Sequence, residues 1–314
     1  MNVLVAIVGP TATGKSALGL ALAEALQGEI LACDSTAVYR GIDIGTDKVP
    51  VAEQRGIPHH LVDVVGPDEV FSAARYGREA ADVARAVRAR GRLPILVGGT
   101  GFYYRALIRG IFPGPSRDAG LRARLDRVAD RRGVETLHRW LARVDPDSAA
   151  RIQPRDRKRL VRALEVYLLT GRPLTAHFAD TASPIADFEV LTLGVTMSRE
   201  ALEPRIARRV DQQFASGVVD EVRGLLAAGV PAAAHALSGL VYRQVVEMLA
   251  GVRDEAATRD LIVRQNMQYA RRQAVWFRAE PVAQWIDGPG EGSEAIARAL
   301  DVTARWLETR RALA

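Results

Sequence analysis

The amino-acid sequence predicts an α/β fold, in which a parallel sheet with helices on both faces is interrupted by a helical insertion. Short apolar runs at 3–8, 30–33 and 93–97 are typical of strands buried on both faces, and segments with helical periodicity separate them. Alternation of this kind favours parallel crossovers. After a proline and glycine cluster at 113–115 the chain becomes helical and arginine-rich, with few strand signals until about residue 188.

The first third of the chain alternates strands and helices. The expected elements are a strand at 3–8, a helix at 15–26, a strand at 30–33, a helix at 76–90 and a strand at 93–97. In the first helix Leu18, Leu22 and Leu26 recur four residues apart and therefore share one face. Gly28 and Gly91 follow the two helices, where glycine commonly ends a helix.

The remaining chain contains the insertion and a second part of the core. The expected elements are helical sequence at 117–172, a strand at 188–195 and helices at 198–226, 241–249, 256–278 and 294–310. Ser198 is a suitable N-cap, with Glu200 in the first turn. We therefore expect a core formed by 1–112 and 188–314, and a helical insertion at 113–187.

Composition excludes several classes of protein. The chain has 314 residues, of which 48% are hydrophobic and 25% charged, so a disordered protein is excluded. No apolar run approaches the ~18 residues of a membrane helix, and a lone cysteine, Cys33, fits a reducing compartment. These features predict a cytoplasmic protein with no membrane contact. The sequence indicates no obligate protein partner, and we expect a monomer.

The positive charge is concentrated in the predicted insertion. The whole chain has a net charge of +6, whereas residues 117–172 alone carry 15 basic and eight acidic side chains. A second cluster at 264–278 has four arginines, no acid, and three aromatic residues between them. Solvated helix faces explain most such clusters, but a surface that follows nucleic-acid phosphates is the functional alternative.

A phosphate-binding loop lies between the first strand and the first helix. Residues 9–16, GPTATGKS, match the pattern GxxxxGK[ST] in the required context of strand, loop and helix. Its glycines let successive N–H groups point into one concavity, Lys15 adds a cation, and the Ser16 hydroxyl can bind Mg²⁺. The expected core is therefore a P-loop parallel sheet. Most such loops bind ATP or GTP, so a kinase or NTPase is the first expectation.

Asp34 is the strongest candidate for an acidic partner of this loop. It follows the predicted strand at 30–33, and ligands of open parallel sheets gather at the carboxyl ends of strands. The strand at 93–97 ends instead in Gly98-Gly99-Thr100. Asp34 could act as a metal ligand, as a general base, or only as a cap of its own turn.

Several longer motifs resemble those of the tRNA dimethylallyltransferase (tRNA isopentenyltransferase) family. They are GPTATGKS at 9–16, DSTAVYRGIDIGTDK at 34–48, PHHLVD at 58–63, LVGGTGFYYRAL at 96–107, DPDSAARIQPRDRKRLVRALEVYLLTGRPL at 145–174, RIARRVDQQFASGVVDEV at 205–222 and YARRQAVWFR at 269–278. The phosphate loop is common to many families, but this combination is specific and covers about nine-tenths of the chain.

The resemblance implies a reaction. The family transfers a dimethylallyl group from dimethylallyl diphosphate to N6 of the adenosine 3′-adjacent to the anticodon, with Mg²⁺ as cofactor and diphosphate as product. The phosphate loop would then bind an isoprenoid diphosphate rather than ATP. The partners implied are a tRNA anticodon stem-loop and dimethylallyl diphosphate. The alternatives are a prenyltransferase acting on free adenylate, a P-loop small-molecule kinase, and an RNA-binding module with a vestigial nucleotide site.

The resemblance also implies roles for particular residues. The catalytic candidates are Asp34 as general base, Thr100 to orient Asp34 or contact the diphosphate or metal, and Arg209 on the diphosphate. The diphosphate-binding candidates are Gly9, Pro10, Thr11, Ala12, Thr13, Gly14, Lys15 and Ser16, with Ser16 also the metal ligand. The tRNA-binding candidates are Ser35, Thr36, Ala37, Arg122, Lys158, Arg159, Arg162, Tyr242, Arg243, Arg271 and Arg272.

Three positions depart from the family pattern. Ala37 stands where the family often has glutamine, which removes one expected contact to the base. Val241 stands at the usual glycine, where a close approach of backbone and RNA is therefore in doubt, and Val275 replaces the usual threonine.

Overall fold

The computed structural model describes residues 2–112 and 114–312, so Pro113, the predicted start of the insertion, lies outside the described residues. The strands are β1 (Val3–Val8), β2 (Gly28–Cys33), β3 (His59–His60), β4 (Leu93–Gly98), β5 (Glu189–Thr196) and β6 (Gln284–Asp287). They form one sheet in the order β3-β2-β4-β1-β5-β6, in which every neighbouring pair is parallel. The predicted parallel α/β fold is confirmed.

Helices connect and flank these strands. They are α1 (Lys15–Ala25), α2 (Ala73–Ala89), α3 (Gly101–Ile108), α4 (Ala119–Arg132), α5 (Val134–Val144), α6 (Pro146–Arg151), α7 (Arg157–Thr170), α8 (Leu174–Ala179), α9 (Arg199–Ala215), α10 (Val218–Ala227), α11 (Tyr242–Leu249), α12 (Glu255–Arg278) and α13 (Ser293–Ala312). Within 2–112 and 114–312, no helix has both the length and the apolar character needed to cross a membrane.

The two faces of the sheet are covered by different helices. On one face, α1 and α13 pack over strand residues such as Val5 and Ile95, and Leu18 of α1 is completely buried there. On the other face, the Tyr76 hydroxyl of α2 donates to the Ala32 carbonyl at 2.9 Å. The Tyr104 hydroxyl of α3 hydrogen-bonds Thr192 at 2.9 Å. Burial on both faces explains why the central strands are continuous apolar runs.

Short or interrupted elements were not visible in the sequence pattern. Strands β3 and β6 have two and four residues, too few for a periodicity to be recognised. The expected helix at 198–226 is divided into α9 and α10 at Gly217, whose φ of 93° ends one helix and begins the next. Helix α3 begins at Gly101, inside a glycine-rich segment that does not indicate a helix.

The insertion is a compact unit of its own. Contacts divide the chain into a first unit, which ends at Ile108 and resumes at Pro184, and a second unit, Arg109–Ser183. The sequence-based bounds, 113 and 187, lie four residues further along the chain. The second unit contains α4 to α8, packed around Leu125, Leu137, Leu141 and Leu160.

A buried carboxylate organises the charges of this second unit. Glu165 on α7 has a fully buried side chain and accepts two hydrogen bonds from Arg122 of α4, each 2.8 Å. Arg162 and the Asp118 amide donate to it at 2.7 and 2.9 Å. Burial alone would raise the pKa of Glu165, but these donors outweigh it and lower the pKa to about 2. Two of the arginines expected to face RNA therefore have an internal partner.

We expect Glu165→Ala to destabilise the second unit by about 3 kcal/mol at pH 7, since two partly buried guanidinium groups would lose their counter-ion. Because the folded-state pKa lies below the unfolded value, the contribution of Glu165 is complete above pH ~4.5 and declines as the pH falls towards 2. Urea unfolding followed at several pH values measures this difference.

Asp147→Ala is the matched control, because Asp147 is an exposed acid in the first turn of α6 in the same unit. Its loss should cost less than about 1 kcal/mol. An equal cost for the two variants would contradict the structural role of Glu165.

Candidate active site

A cavity of about 400 Å³ opens at the carboxyl ends of the central strands. Its walls come from the loops after β1, β2 and β4 and from α9 and α12. This is the edge at which parallel sheets bind ligands. The predicted site residues that line it are Thr11, Lys15, Ser16, Asp34, Ser35, Thr36, Ala37, Arg209 and Arg272.

The phosphate loop has the backbone that its sequence predicts. A Cβ at Gly9, whose φ is 143°, would lie 2.3 Å from the Val195 carbonyl oxygen, so only glycine permits this approach of β1 to β5. Gly14 has a left-handed φ of 86° and caps α1, which begins at Lys15. Thr13 is buried, and its hydroxyl donates to the Pro10 carbonyl at 2.9 Å. Pro10, Thr13 and the two glycines therefore shape the loop that presents Thr11, Lys15 and Ser16.

Lys15 lies in a setting that disfavours its charge. Its ammonium donates to the Pro10 carbonyl at 2.5 Å. Burial first, and the nearby Arg209 guanidinium second, lower the pKa of Lys15 to about 7, although Asp34 acts in the opposite direction. An anion placed between Lys15 and Arg209 would relieve this cost, as expected of a diphosphate site.

Asp34 caps its own turn, which is one of the three roles considered from the sequence. Its Oδ1 accepts the Thr36 amide at 2.8 Å, the Thr36 hydroxyl at 2.6 Å and the Ala37 amide at 3.2 Å. These bonds fix the turn after β2, so Asp34 does cap its own loop. All three reach Oδ1, and within 2–112 and 114–312 no hydrogen bond reaches Oδ2. One carboxylate oxygen is thus held while the other remains available for proton transfer.

Thr100 lies beside the Asp34 turn and is bonded to its backbone rather than to the Asp34 carboxylate. Its hydroxyl accepts the Ser35 amide at 3.1 Å, and its own amide donates to the Cys33 carbonyl at 3.1 Å. Thr100 therefore holds the backbone on both sides of Asp34. The parallel register of β2 and β4 places the two strand ends side by side and so brings Thr100 next to the Asp34 turn.

Arg209 reaches the cavity from α9. Its Nη1 donates to the Thr11 hydroxyl at 3.0 Å, and its Nε forms an ion pair with Asp47. Burial raises the pKa of Asp47, an effect that Arg209 and Gln213 oppose. Asp47 is a second carboxylate in the cavity, which sequence reasoning did not identify. Its position in DSTAVYRGIDIGTDK was the available signal.

Gln273 on α12 is another site residue that the sequence did not reveal. Its side-chain oxygen accepts the Thr11 amide at 2.8 Å, and its nitrogen donates to the Gly99 carbonyl at 2.8 Å. It is 6% exposed and thereby joins the phosphate loop to the end of β4. On the same helix, Tyr269 lines the cavity. Burial and the charge of Asp34 raise the pKa of Tyr269 to about 12, so it remains a hydrogen-bond donor at neutral pH.

Tyr242 was predicted to contact RNA, and the structure contradicts this. Its side chain is completely buried, donates to Glu221 at 2.6 Å and accepts the Gly45 amide at 2.9 Å. The preceding Val241, at the usual glycine, has a φ of 74°, rare for a β-branched residue, and lines the cavity. The turn there is therefore kept despite the substitution. Ala37, in place of glutamine, also lines the cavity and is 6% exposed.

The other predicted RNA-binding residues fall into two groups. Arg243, Arg271 and Arg272 are exposed in the first unit, and Arg272 lies over the Tyr269 ring at 5.7 Å from its centroid. In the second unit Lys158 and Arg159 are exposed. Arg122 and Arg162, by contrast, are committed to Glu165 and are only about one-third exposed.

The donors around the phosphate loop fit a magnesium ion held largely by its substrate. Within 2–112 and 114–312, no group of three or more His, Cys, Asp or Glu side chains could form a metal cage. Mg²⁺ commonly keeps several waters and binds substrate phosphates with one or two protein oxygens. The Ser16 hydroxyl, at the first turn of α1 and on the cavity wall, could supply one such oxygen.

Comparisons with known proteins find relatives that match nearly the whole chain. Residues 37–280 match the sequence profile of the family described as IPP transferase. The chain is 46% identical over 307 residues to a tRNA dimethylallyltransferase of Solibacter usitatus, covering 97% of this chain and 99% of that protein. It is 47% identical to the protein of that name from Geobacter metallireducens, covering 92% and 93%.

Solved structures extend the similarity to the fold. A tRNA isopentenylpyrophosphate transferase from Bacillus halodurans has a TM-score of 0.74 and 36% identity, covering 100% of this chain and 99% of that one. A eukaryotic dimethylallyltransferase described as acting on tRNA has a TM-score of 0.80 and 25% identity, covering 98% and 80%.

We expect Lys15→Met to raise the melting temperature while abolishing any phosphate-dependent activity. With a folded pKa of about 7 and an unfolded value of ~10.4, the unfolded wild type binds more protons between these pH values. Wild-type stability should therefore rise with pH across this window, and the gain from Lys15→Met should be largest at pH 7 and below. Thermal unfolding between pH 6 and 10 measures both trends.

Lys48→Met is the matched control, since the Lys48 ammonium is paired with Asp43 and Asp63 at 2.5 and 2.6 Å. It should lower the melting temperature. A gain in Lys48→Met equal to that in Lys15→Met would refute the account of Lys15.

Proposed function

The chain belongs to the IPP transferase family, and from this premise we propose that it prenylates tRNA. It transfers a dimethylallyl group from dimethylallyl diphosphate to N6 of the adenosine 3′-adjacent to the anticodon, and releases diphosphate. The observation that carries this is one cavity that contains a phosphate loop, a converging Arg209 and the free oxygen of Asp34. Leaving-group stabilisation and proton removal can therefore act on the same substrate pair.

The phosphate loop and two cations support cleavage of the donor. As the C1–O bond of the allylic diphosphate breaks, the electron pair and the negative charge go to the leaving diphosphate. Lys15, the amides at the start of α1 and Arg209 stabilise that charge, which lowers the barrier. Mg²⁺, bound by the Ser16 hydroxyl, would neutralise further charge on the diphosphate.

Asp34 acts on the acceptor. The adenine N6 amine is a weak nucleophile because its lone pair is delocalised into the ring. As the C–N bond forms, Oδ2 of Asp34 takes one N6 proton, while Oδ1 stays bound to the Thr36 and Ala37 amides. Thr100 positions this carboxylate indirectly, through the Ser35 amide.

The target base must leave the stack of its loop to enter the cavity. Ser35, Thr36 and Ala37 line the cavity beside Asp34, and Tyr269 offers an aromatic surface. With Ala37 in place of glutamine, the base would be held less by side-chain hydrogen bonds at this position and more by the Ser35 and Thr36 hydroxyls. Arg243, Arg271 and Arg272 supply exposed positive charge in the same unit.

The second unit supplies the remaining contacts to the stem-loop. Lys158 and Arg159 are exposed on the first turns of α7 and suit phosphate contacts. Arg122 and Arg162 shape this surface by holding Glu165, and they contribute less charge than expected. Because tRNA is the acceptor, we place the protein in the cytoplasm, working as a monomer without an obligate protein partner.

The relatives favour this function over the alternatives weighed from the sequence. They are named as acting on tRNA, whereas a free-adenylate enzyme or a small-molecule kinase has no use for a separate basic unit. Incubation with dimethylallyl diphosphate, Mg²⁺ and an anticodon stem-loop tests the proposal. It predicts a mass gain of one dimethylallyl group on the RNA, and faster transfer to AMP would overturn it.

We expect Asp34→Ala to lower the single-turnover rate by about 10²- to 10⁴-fold, since both the general base and the turn it fixes are lost. Affinity for the stem-loop, measured by filter binding, should stay within about threefold of wild type. Asp34→Asn keeps an oxygen for the turn and separates the two effects. If Asp34→Asn were fully active, the base role would be wrong.

We expect replacement of Lys158 and Arg159 by alanine to weaken stem-loop binding and to reduce the slope of log affinity against log salt by about two, one for each lost phosphate contact. The matched control replaces Arg223 and Arg305, which are equally charged and exposed but remote from these residues in the sequence and are given no RNA role. An unchanged slope in the first variant would remove Lys158 and Arg159 from the RNA surface.

A further inference from the structure

We propose that Asp47 is a positioning residue for Arg209, and that Glu221 and Tyr242 hold Asp47 in place through the backbone of residues 43–45. The inference rests on the proposed function, because it assigns Arg209 to the diphosphate. It explains why a second carboxylate stands in a cavity built for an anion. It also gives a role to Tyr242, which is buried and cannot contact RNA.

The guanidinium of Arg209 is fixed on two sides. Asp47 Oδ2 pairs with its Nε, and its Nη1 donates to the Thr11 hydroxyl at 3.0 Å. A guanidinium held at Nε cannot rotate freely about its last bonds, so its two terminal nitrogens keep one direction. These nitrogens form the fork that binds phosphate oxygens in pairs. Asp47 therefore occupies the Nε edge of the Arg209 guanidinium and leaves the two terminal nitrogens for a diphosphate.

Asp47 itself is held by the neighbouring helix. The Gln213 side-chain nitrogen donates to Asp47 Oδ2 at 2.9 Å and to the Gly45 carbonyl at 3.2 Å. Gln213 lies on α9, one turn after Arg209, and is 3% exposed. Asp47 has a φ of 52°, and its amide donates to the Ile44 carbonyl at 3.1 Å, which closes a tight turn. Helix α9 thus carries Arg209 and also, through Gln213, holds the Asp47 carboxylate that pairs with Arg209.

Glu221 on α10 anchors the start of this turn. Its Oε2 accepts the Asp43 and Ile44 amides at 3.0 and 2.8 Å. Successive amides that converge on one carboxylate form a strong, oriented set of charge-assisted hydrogen bonds. The backbone amides of the segment before Asp47 therefore fix it to α10.

Tyr242 closes the arrangement from α11. Its hydroxyl donates to Glu221 Oε1 at 2.6 Å and accepts the Gly45 amide at 2.9 Å. A Cβ at Gly45 would lie 2.7 Å from the Tyr242 ring, so the ring packs directly on this backbone. A continuous path of hydrogen bonds thus runs from Tyr242 and Glu221, through residues 43–47, to Arg209.

The expected consequence concerns the chemical step. Charge develops on the diphosphate as the C1–O bond breaks, and a guanidinium already in place needs no reorientation at that moment. Asp47→Asn should therefore lower the single-turnover rate about tenfold while leaving stem-loop affinity unchanged. Asparagine keeps the size and one accepting oxygen but removes the negative charge, so the variant tests the charge of Asp47 rather than the fold.

A double-mutant cycle between Asp47→Asn and Arg209→Gln tests the inference. If Asp47 acts through Arg209, Asp47→Asn should change the rate less than about twofold in the Arg209→Gln background. The same tenfold loss in both backgrounds, or no loss in either, would overturn the proposal. Melting temperatures of all variants, measured alongside, exclude unfolding at the assay temperature.

Asp211→Asn is the matched control. Asp211 lies on the same helix, two residues after Arg209, and contacts Arg259 at 3.0 Å. Its replacement by asparagine removes the same charge as Asp47→Asn. It should retain the wild-type rate. If Asp211→Asn lowered the rate as much as Asp47→Asn, a change in overall charge would explain both losses, and the positioning role would be wrong.

Binding of inorganic pyrophosphate with Mg²⁺, measured by calorimetry, separates this inference from the proposed function. Asp47→Asn should weaken pyrophosphate binding several-fold, because the Arg209 fork is no longer held. Tighter binding would overturn the inference and make Asp47 a competitor for Arg209. If wild type binds pyrophosphate with this dependence but transfers no prenyl group, the proposed function fails while the positioning role stands.

The outer residues give a graded test. Tyr242→Phe removes the hydroxyl that joins Glu221 to Gly45 and keeps the ring that packs on it. It should lower the rate by about two- to fivefold and add nothing further to Asp47→Asn. A full additional loss in the double variant would separate Tyr242 from the proposed path.

Discussion

The cavity must gather positive charge for an anionic substrate without that charge destabilising the fold, and the rest of the site depends on this balance. Lys15 and Arg209 both line the cavity, and the charge of Arg209 helps to lower the pKa of Lys15. A carboxylate lies near each cation: Asp34 favours the charged form of Lys15, and Asp47 pairs with Arg209. A partly buried cation without such a partner is costly, so the two carboxylates stabilise a cavity in which two cations lie close together.

The sheet topology brings these groups together from distant parts of the sequence. β1, β2 and β4 are neighbours in parallel, so the phosphate loop, the Asp34 turn and the Gly98-Gly99 turn all leave the sheet at one edge. Gly9 allows β1 to lie close against β5, and Gln273 ties the loop to the end of β4. Helices α9 to α11, in the second part of the core, contribute the second cation, Arg209, and the side chains of Gln213, Glu221 and Tyr242 that support the Asp47 segment.

The second unit shows that net charge and available charge differ. It holds the excess of basic residues, but a buried Glu165 binds two of its arginines and Arg157 pairs with Asp126 and Asp130. Burying a carboxylate is favourable only when several donors satisfy it, and the arginines meet that need. The basic residues that remain exposed include Lys158 and Arg159, of which Arg159 pairs with Asp156 at 3.2 Å.

The sequence by itself determined the parallel core, the phosphate loop and the position of Asp34 at the end of a strand. Apolar runs and a glycine-rich loop can be recognised from the spacing of neighbouring residues. Tertiary structure alone decided the roles of Asp47, Gln213, Gln273 and Glu221, whose partners lie far away in the chain. It also decided that Tyr242 is buried and that Thr100 supports Ser35. The reason is physical: periodicity reveals which face of an element is apolar, whereas the local spacing of two distant segments does not reveal a hydrogen bond between them.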